Sequence, residues 1–336
     1  MNKIYFAGNM IVDAIKRIEV LPKRGMLSKI FDEEMSVGGS ACNTAINLKV
    51  IDPTIDIKVF GRVGHDEKGK FILDTYREYA IDTTNVIIDK EKKTSYTDVM
   101  IEKGGYRTFY QYGGANDNLK VEDFNLDTLD CDIFHIGYLL LLAKLDVEDA
   151  EYGTKMARLL HKVQSKGIKT SIDVVSDTSD RYKKVVVPSL KYCNYVIINE
   201  IEAASITGIP ARDKDDNIIL SNIKKSIDVL FSLGVKDTVI IHYPECAVMK
   251  QKEGAFVIVN SFNIPKNKVV STVGAGDAFV AGALYALSNN LEAEMILKIA
   301  HASAAFNLFS PSSIDGAKPI RDIFEFIKKE EQTLYY

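Results

Sequence analysis

The chain has 336 residues, a formal net charge of −4 and 46% apolar side chains, the balance of a globular protein. That acidic balance, with an isoelectric point near 5.8 and no basic stripe, excludes a nucleic-acid surface. Four scattered cysteines (Cys42, Cys131, Cys193, Cys246) without a C-x-x-C pair, and five isolated histidines, exclude a disulfide frame and a histidine or zinc site, and predict a cytoplasmic protein. The first apolar run is too short for a secretory leader, and the longest, 138–143, falls far short of a membrane span.

Taken in chain order, short β-rich apolar runs at 4–7, 57–60, 133–136, 170–174, 195–198 and 238–242 predict buried strands. Amphipathic stretches at 68–79, 150–165 and 221–233 predict helices between them. This alternation predicts an α/β fold with a mostly parallel central sheet covered by helices. One segment differs. Two β-prone arms, 94–102 and 106–112, flank Lys103-Gly104-Gly105, and a Gly-Gly turn predicts a hairpin in which Glu102 faces Arg107 and Met100 faces Phe109. Both hairpin faces carry bulky side chains, as a flap over a ligand or another subunit would. The stretch 14–36 is expected to add strands to a lid whose second part is 94–113, all within one domain, 1–336.

The run Ser271-Thr-Val-Gly-Ala-Gly-Asp-Ala-Phe279 opens a helix of small and apolar residues. Free backbone N–H groups and the helix dipole make such a turn an anion site. Asp277 would repel an anion there unless it has chemistry to do, and the natural chemistry is to take a proton from a nucleophile attacking a phosphoryl group. A dinucleotide fingerprint is excluded, because Phe279 stands where the third glycine belongs.

Weaker signals lie elsewhere. Asp13 follows the first strand, where polar groups line the crevice of an open α/β sheet, and its carboxylate could hold sugar hydroxyls. Gly38-Gly39 lets backbone approach a ligand, with Asn43 in the helix that follows, although Ser40 also reads as an N-cap. The segment from Gly64 to Phe71 nearly matches a phosphate loop. Phe71 cannot supply its hydroxyl, so the segment reads as a strand-to-helix turn. Asn199 and Glu202 read either as a phosphate and magnesium pair or as a capping box. Asp173, at a strand end, reads as a crevice or loop carboxylate.

Together these residues resemble the ribokinase or PfkB carbohydrate kinase family. The resemblance runs from Asp13 through Gly38-Gly39 with Asn43, Gly61 to Asp66 with Gly69, and Asn199 with Glu202, to Gly274-Ala-Gly-Asp277 and Gly316-Ala317. It implies a three-layer α/β/α core with a small β-sheet lid, and transfer of the ATP γ-phosphate to a sugar hydroxyl. It implies that Asp277 is the general base and that the N–H groups of Gly274, Ala275 and Gly276 steady the transferring phosphoryl. The sugar would lie among Asp13, Gly38, Gly39, Asn43 and Asp173, with Tyr96 and Tyr110 on the lid. The nucleotide would lie near Asn199, His242, Thr272, Ala302 and Asn307, and Glu202 would organise Mg²⁺. Relatives that pair through their lids imply a homodimer.

Three positions depart from the family pattern. Ser271 and Val273 replace its usual Asp and Thr, which leaves a monovalent-cation site open. His242 to Ala247 replaces a glycine-rich nucleotide loop, and Pro244 lacks an N–H. A ribose- or fructose-like acceptor is the first expectation. A nucleoside acceptor is one alternative, since the lid aromatics Tyr96, Phe109, Tyr110 and Tyr112 could stack on a base or equally cover a sugar face; a non-catalytic sugar-binding protein on the same fold is the other.

Overall fold

Successive residues of a strand face opposite ways, and in this chain both directions are apolar. The computed structural model describes residues 2–177 and 179–333. In chain order the strands are β1 (Lys3–Gly8), β2 (Ile11–Ile18), β3 (Ile30–Gly38), β4 (Asp56–Gly64), β5 (Asp82–Asp89), β6 (Tyr96–Glu102), β7 (Arg107–Tyr112), β8 (Ile133–Leu139), β9 (Glu148–Asp149), β10 (Gly153–Thr154), β11 (Lys169–Val174), β12 (Tyr195–Asn199), β13 (Thr238–Tyr243), β14 (Cys246–Gln251) and β15 (Phe256–Asn260). The helices are α1 (Ser40–Ile51), α2 (Glu67–Glu78), α3 (Lys155–Gln164), α4 (Tyr182–Val185), α5 (Val187–Leu190), α6 (Glu200–Thr207), α7 (Leu220–Ser232), α8 (Ala275–Ser288), α9 (Ala293–Leu308) and α10 (Ile320–Thr333).

The main sheet has the order β15-β14-β13-β12-β11-β8-β1-β4-β5. Strands from β13 to β5 in that order run parallel, and β14 and β15 add an antiparallel edge. Ile4 and Phe6 of β1 enter one core, with α1, α8 and α9; Tyr5 and Ala7 enter the other, with α3 and α7. Burial on both faces explains why these strands read as continuous apolar runs rather than alternating ones. The result is the expected three-layer α/β/α arrangement. Helix α8 is apolar all round because it is sandwiched. A Cβ at Gly282 would come within 2.6 Å of the Ser303 hydroxyl on α9, so the two helices pack backbone to backbone.

From β1 the chain goes to β4 and β5 on one side and returns to β8 on the other. The strand order therefore reverses at the β1/β8 boundary, the place where open α/β sheets form their crevice. A second sheet has the order β3-β2-β6-β7. It leaves the main sheet directly, since β2 begins three residues after β1 ends. Asp66 fixes its base. The Asp66 carboxylate caps α2 at Gly69 N (2.9 Å) and accepts from Thr94 N (2.9 Å) and the Thr94 hydroxyl (2.6 Å). The near-match to a phosphate loop is thus a capped turn.

Two expectations are corrected here. The hairpin register is one residue off: Ile101, not Glu102, pairs with Arg107, and Val99, not Met100, pairs with Phe109. The connection is a three-residue loop closed by Glu102 N–H to Tyr106 O (3.0 Å), in which Gly105 alone is left-handed, at φ +81. A type I turn followed by such a glycine takes one more residue than a two-glycine turn. The segment 242–247 is not an open loop. His242 pairs with Ala247 and Tyr243 with Cys246 across a tight turn, and Arg212 holds Glu245 through two contacts of 2.9 and 3.0 Å.

Among the described residues no helix is long and apolar enough to cross a membrane.

Candidate active site

The C-terminal ends of the parallel strands bring polar groups to one edge: Asn9 just after β1, Tyr138 in β8, Asp173 in β11, Asn199 in β12 and His242 in β13. Helix α8 starts above them. Gly274, left-handed at φ +79, turns the chain into the helix, and a Cβ there would lie 2.5 Å from the Ser313 side chain. The loop carrying Ser313 is pinned in turn by Asn47 (2.9 Å) and Asn307 (3.0 Å), whose amides donate to its carbonyl. This places Asp277 in the first turn of α8, with only 5% of its surface exposed.

Asp277 Oδ2 accepts from Asn43 Nδ2 (2.8 Å) and from the Tyr138 hydroxyl (2.9 Å). Burial, and then the neighbouring Asp173 carboxylate, push the Asp277 pKa up to about 7, against the pull of Asn43 and Tyr138. The carboxyl is therefore poised to gain or lose a proton near neutrality. Tyr138 escaped the sequence reading because it lies at the head of an apolar run. Its one local signal, a left-handed backbone at φ 56, is visible only in the structure. Asn9 was missed as well. It is buried, and among the described residues neither of its amide atoms has a hydrogen-bond partner.

Two cavities flank the segment 270–277. One, of about 280 Å³, is lined by Tyr138, Asp173, Ser176, Asn199, Glu202, His242, Gly274, Gly276 and Asp277. The other, of about 160 Å³, lies under the lid and is lined by Asp13, Ser36, Phe109, Arg107, Ser271 and Ser313 among others. A shallow depression outside α6 is lined by Arg212, which Glu200 and Glu245 already neutralise. In the lid cavity burial raises the Asp13 pKa to about 6, against a hydrogen bond from Thr97. A Cβ at Gly38 would collide with Asp13 Oδ2, and one at Gly39, left-handed at φ +86, with the Asn9 carbonyl. Both glycines are thus required by close approach of Asp13 and Asn9.

The family described as pfkB family carbohydrate kinase matches residues 1–321. The chain belongs to the pfkB carbohydrate kinase family. It is accordingly a phosphotransferase with a carbohydrate alcohol group as acceptor. A ribokinase of Arabidopsis thaliana is 24% identical over 96% of this chain and 80% of its own length. The bifunctional ribokinase/ribose-5-phosphate isomerase A of Fructilactobacillus sanfranciscensis is 24% identical over 99% of this chain, which spans 57% of that relative. The structure of Arabidopsis thaliana ribokinase complexed with ribose and ATP superposes with a TM-score of 0.78 at 20% identity, covering 98% of this chain and 99% of that one.

Within this pfkB kinase the predicted site residues divide. Asp13 lines the lid cavity with Gly38 packed against its carboxylate, Gly39 packs against Asn9, and Asn43 is bonded to Asp277, which lines the other cavity. Asp173 lies beside Asp277, but its oxygens are engaged by Ser40 Oγ (2.8 Å), Tyr138 N–H (2.6 Å) and His135 Nε2 (3.3 Å). It braces the crevice, and Ser40 serves Asp173 rather than capping α1, whose N-cap is Gly39. Tyr96 and Tyr110 are on the wrong face. Tyr96 pairs with Val12 and Tyr110 with Asp98, so both point away from Asp13, and the lid aromatic lining the cavity is Phe109. For Tyr110 the one-residue hairpin register difference exchanges the faces, whereas Tyr96 is turned away by the pairing of β6 with β2.

On the other side, Asn199 and Glu202 form the capping box. Asn199 Oδ1 accepts from Glu202 N (2.9 Å), and Glu202 Oε2 accepts from Asn199 N (3.0 Å). Both nonetheless line the larger cavity, and Ser176 Oγ donates to Glu202 Oε1 (2.9 Å). Burial raises the Glu202 pKa to about 8. His242 also lines this cavity and stacks on Phe279 at 4.5 Å. Burial, then His301, lowers its pKa to about 4, so its ring is neutral at pH 7. Thr272 is exposed on the loop before α8. Ala302 and Asn307 are fully buried, one in the helical core and one bracing the Ser313 loop, so neither is open to a ligand.

Proposed function

We propose that the protein transfers the γ-phosphoryl group of ATP to a hydroxymethyl group of a ribose- or fructose-like sugar, with Asp277 as general base. The observation that carries this reading is the position of Asp277, buried at the N-terminus of α8 with a cavity on either side of its loop. The lid cavity takes the acceptor, through Asp13, Asn43, Asn9 and the Gly38-Gly39 backbone. The larger cavity takes the nucleotide phosphates, near Asn199 and His242.

Asn43 and Tyr138 occupy Oδ2, so Oδ1 receives the proton of the acceptor hydroxyl as that oxygen attacks the γ-phosphorus and ADP leaves. Early α8 N–H groups have no intrahelical partner and point at the charge that develops. Phosphoryl transfer rests mainly on such positioning and electrostatics. Closure of the lid sheet would keep water from competing as acceptor.

Glu202 fits a place beside Mg²⁺. It is a buried carboxyl facing the nucleotide cavity, no ion pair to it is present among the described residues, and Mg²⁺ on nucleotides needs few protein carboxylates. Bound with the nucleotide, Mg²⁺ would neutralise phosphate charge. Ser271, whose hydroxyl accepts from Val273 N–H at 3.1 Å, supplies no carboxylate for a monovalent cation.

We read residues 1–336 as one kinase domain, and a second copy as the cover for the exposed lid residues Leu27, Ile30, Phe31 and Met35. A monomer in sedimentation at micromolar concentration rejects that dimer. The function is tested by ADP release over a panel of pentoses, hexoses, sugar acids, sugar phosphates and nucleosides. A nucleoside as best acceptor would assign the alternative, for which Phe109 offers a stacking face. No turnover despite sugar binding would reject the kinase reading.

A further inference from the structure

The lid cavity changes chemistry along its length. Strand pairing sets the residues that share its face in rows: Asp13 innermost, then Ile15, Val99 and Phe109 with Glu34 at the β3 end, then Arg17, Ile101 and Arg107 at the rim, Arg107 on β7 at the opposite end from Glu34. The outer row is four residues along β2 from Asp13, about 13 Å at the rise of a strand. The two rim arginines differ. Arg17 is neutralised, its two terminal nitrogens lying 3.0 Å from Asp32 and 3.1 Å from Glu34. Among the described residues Arg107 has no ion pair and no side-chain hydrogen bond, yet it lines the cavity beside the apolar row. A small neutral sugar at Asp13 would use neither that row nor this guanidinium.

We propose that the acceptor is an anionic sugar derivative, its hydroxyls held at Asp13, its body against Val99 and Phe109, and its carboxylate or phosphate taken by Arg107. This rests on the kinase reading and narrows its substrate class. A guanidinium suits either anion, because its fork presents two donors to two oxygens. No chemistry occurs at this end of the acceptor; Arg107 sets affinity and selects the substrate.

The test compares matched neutral and anionic sugars: glucose with gluconate, galactose with galacturonate, and fructose with fructose 1-phosphate and fructose 6-phosphate. The wild type, Arg107→Gln and Arg107→Lys are assayed for ADP release and, without nucleotide, for binding by calorimetry. An anionic sugar should exceed its neutral match about tenfold or more in kcat/KM, the scale of a hydrogen bond to a charged group. Arg107→Gln should remove most of that margin through KM, and Arg107→Lys should restore part of it. The sugar acids and the sugar phosphates separate the two anions. The proposal is overturned if neutral sugars are preferred, if no anionic sugar binds, or if Arg107→Gln weakens both members of a pair equally. Absence of turnover would reject the kinase reading alone, since the binding comparison needs no catalysis.

Discussion

The Tyr138 hydroxyl donates to Asp277 Oδ2 at 2.9 Å, while the backbone that carries Tyr138 is left-handed at φ 56. A non-glycine residue in that region costs about 1–3 kcal/mol and persists only where its surroundings impose it. Here they do. Tyr138 N–H is held by Asp173 Oδ1 at 2.6 Å, and Gly137 before it packs against the Ser40 side chain too closely for a Cβ. The β8 end is thus bent so that a phenol reaches the buried carboxylate.

Tyr138→Phe should therefore retune Asp277 rather than abolish catalysis. The hydrogen bond favours the ionised carboxylate, so its loss raises a pKa already at about 7. A bond to a charged group is worth about 1.5–3 kcal/mol, and 1.36 kcal/mol corresponds to one pKa unit. The acidic limb of the kcat–pH profile should move up by about one unit, with the rate largely recovered at high pH. An unmoved limb would show that Tyr138 does not tune the base.

Asp277→Asn should lower kcat by about 10²–10⁴-fold and leave acceptor affinity nearly intact. It should also stabilise the fold at alkaline pH. Asp277 holds its proton up to about pH 7 when folded, against 3.8 ordinarily, so the folded chain binds more protons than the unfolded one between those values. Stability from this group is complete below pH 4 and is lost as pH rises through 7. The variant, neutral throughout, should match wild type in Tm near pH 4 and exceed it at pH 8. Thermal unfolding at both pH values checks this, and equal Tm at pH 8 would contradict the burial of a charge at Asp277.

What could be read from the sequence followed how local each signal is. Gly274 to Asp277 was legible because a helix start, its glycine turn and its acidic residue lie within one turn of chain. The parallel core was legible because strands buried on both faces are apolar throughout. The lid faces were not. Side chains alternate every residue, so the extra loop residue that seats Gly105 left-handed exchanged Tyr110 for Phe109 in the cavity. Tyr138 reaches Asp277 from a strand end far away in sequence, and Asn9 sits buried and unpartnered just past another; no pattern along the chain marks either position. Asn307 is placed near the nucleotide by the family resemblance alone, with no local signal, and its amide instead holds the Ser313 loop.

Gly38→Ala should damage the acceptor side selectively. Its Cβ would collide with the Asp13 carboxylate, and Asp13 is confined by the Thr97 hydrogen bond on the paired strand. The carboxylate must turn away, so the acceptor KM should rise about tenfold or more, in line with loss of a charged hydrogen bond. The nucleotide cavity does not include this residue, and the KM for ATP should stay within about twofold. Initial-rate kinetics with each substrate varied in turn separates the two. A parallel rise in both constants would mean that the fold, not the sugar contact, had failed.

Glu202→Gln tests the metal side. Burial holds the Glu202 carboxyl up at about 8, so without a cation it is mostly protonated at pH 7. A cation beside it favours the ionised form, and metal binding at this position must then displace a proton. In wild type the Mg²⁺ concentration for half-maximal rate should fall as pH rises from 7 to 9, because less proton displacement is required. Glutamine can still accept from Asn199 N–H and keep the α6 cap, so folding should survive. It cannot ionise. The variant should need about tenfold more Mg²⁺ and should lose the pH dependence of that requirement. Titrations of Mg²⁺ at saturating ATP and acceptor, at pH 7, 8 and 9, distinguish the cases. If wild type and variant show the same Mg²⁺ dependence at every pH, Glu202 is a cap and nothing more.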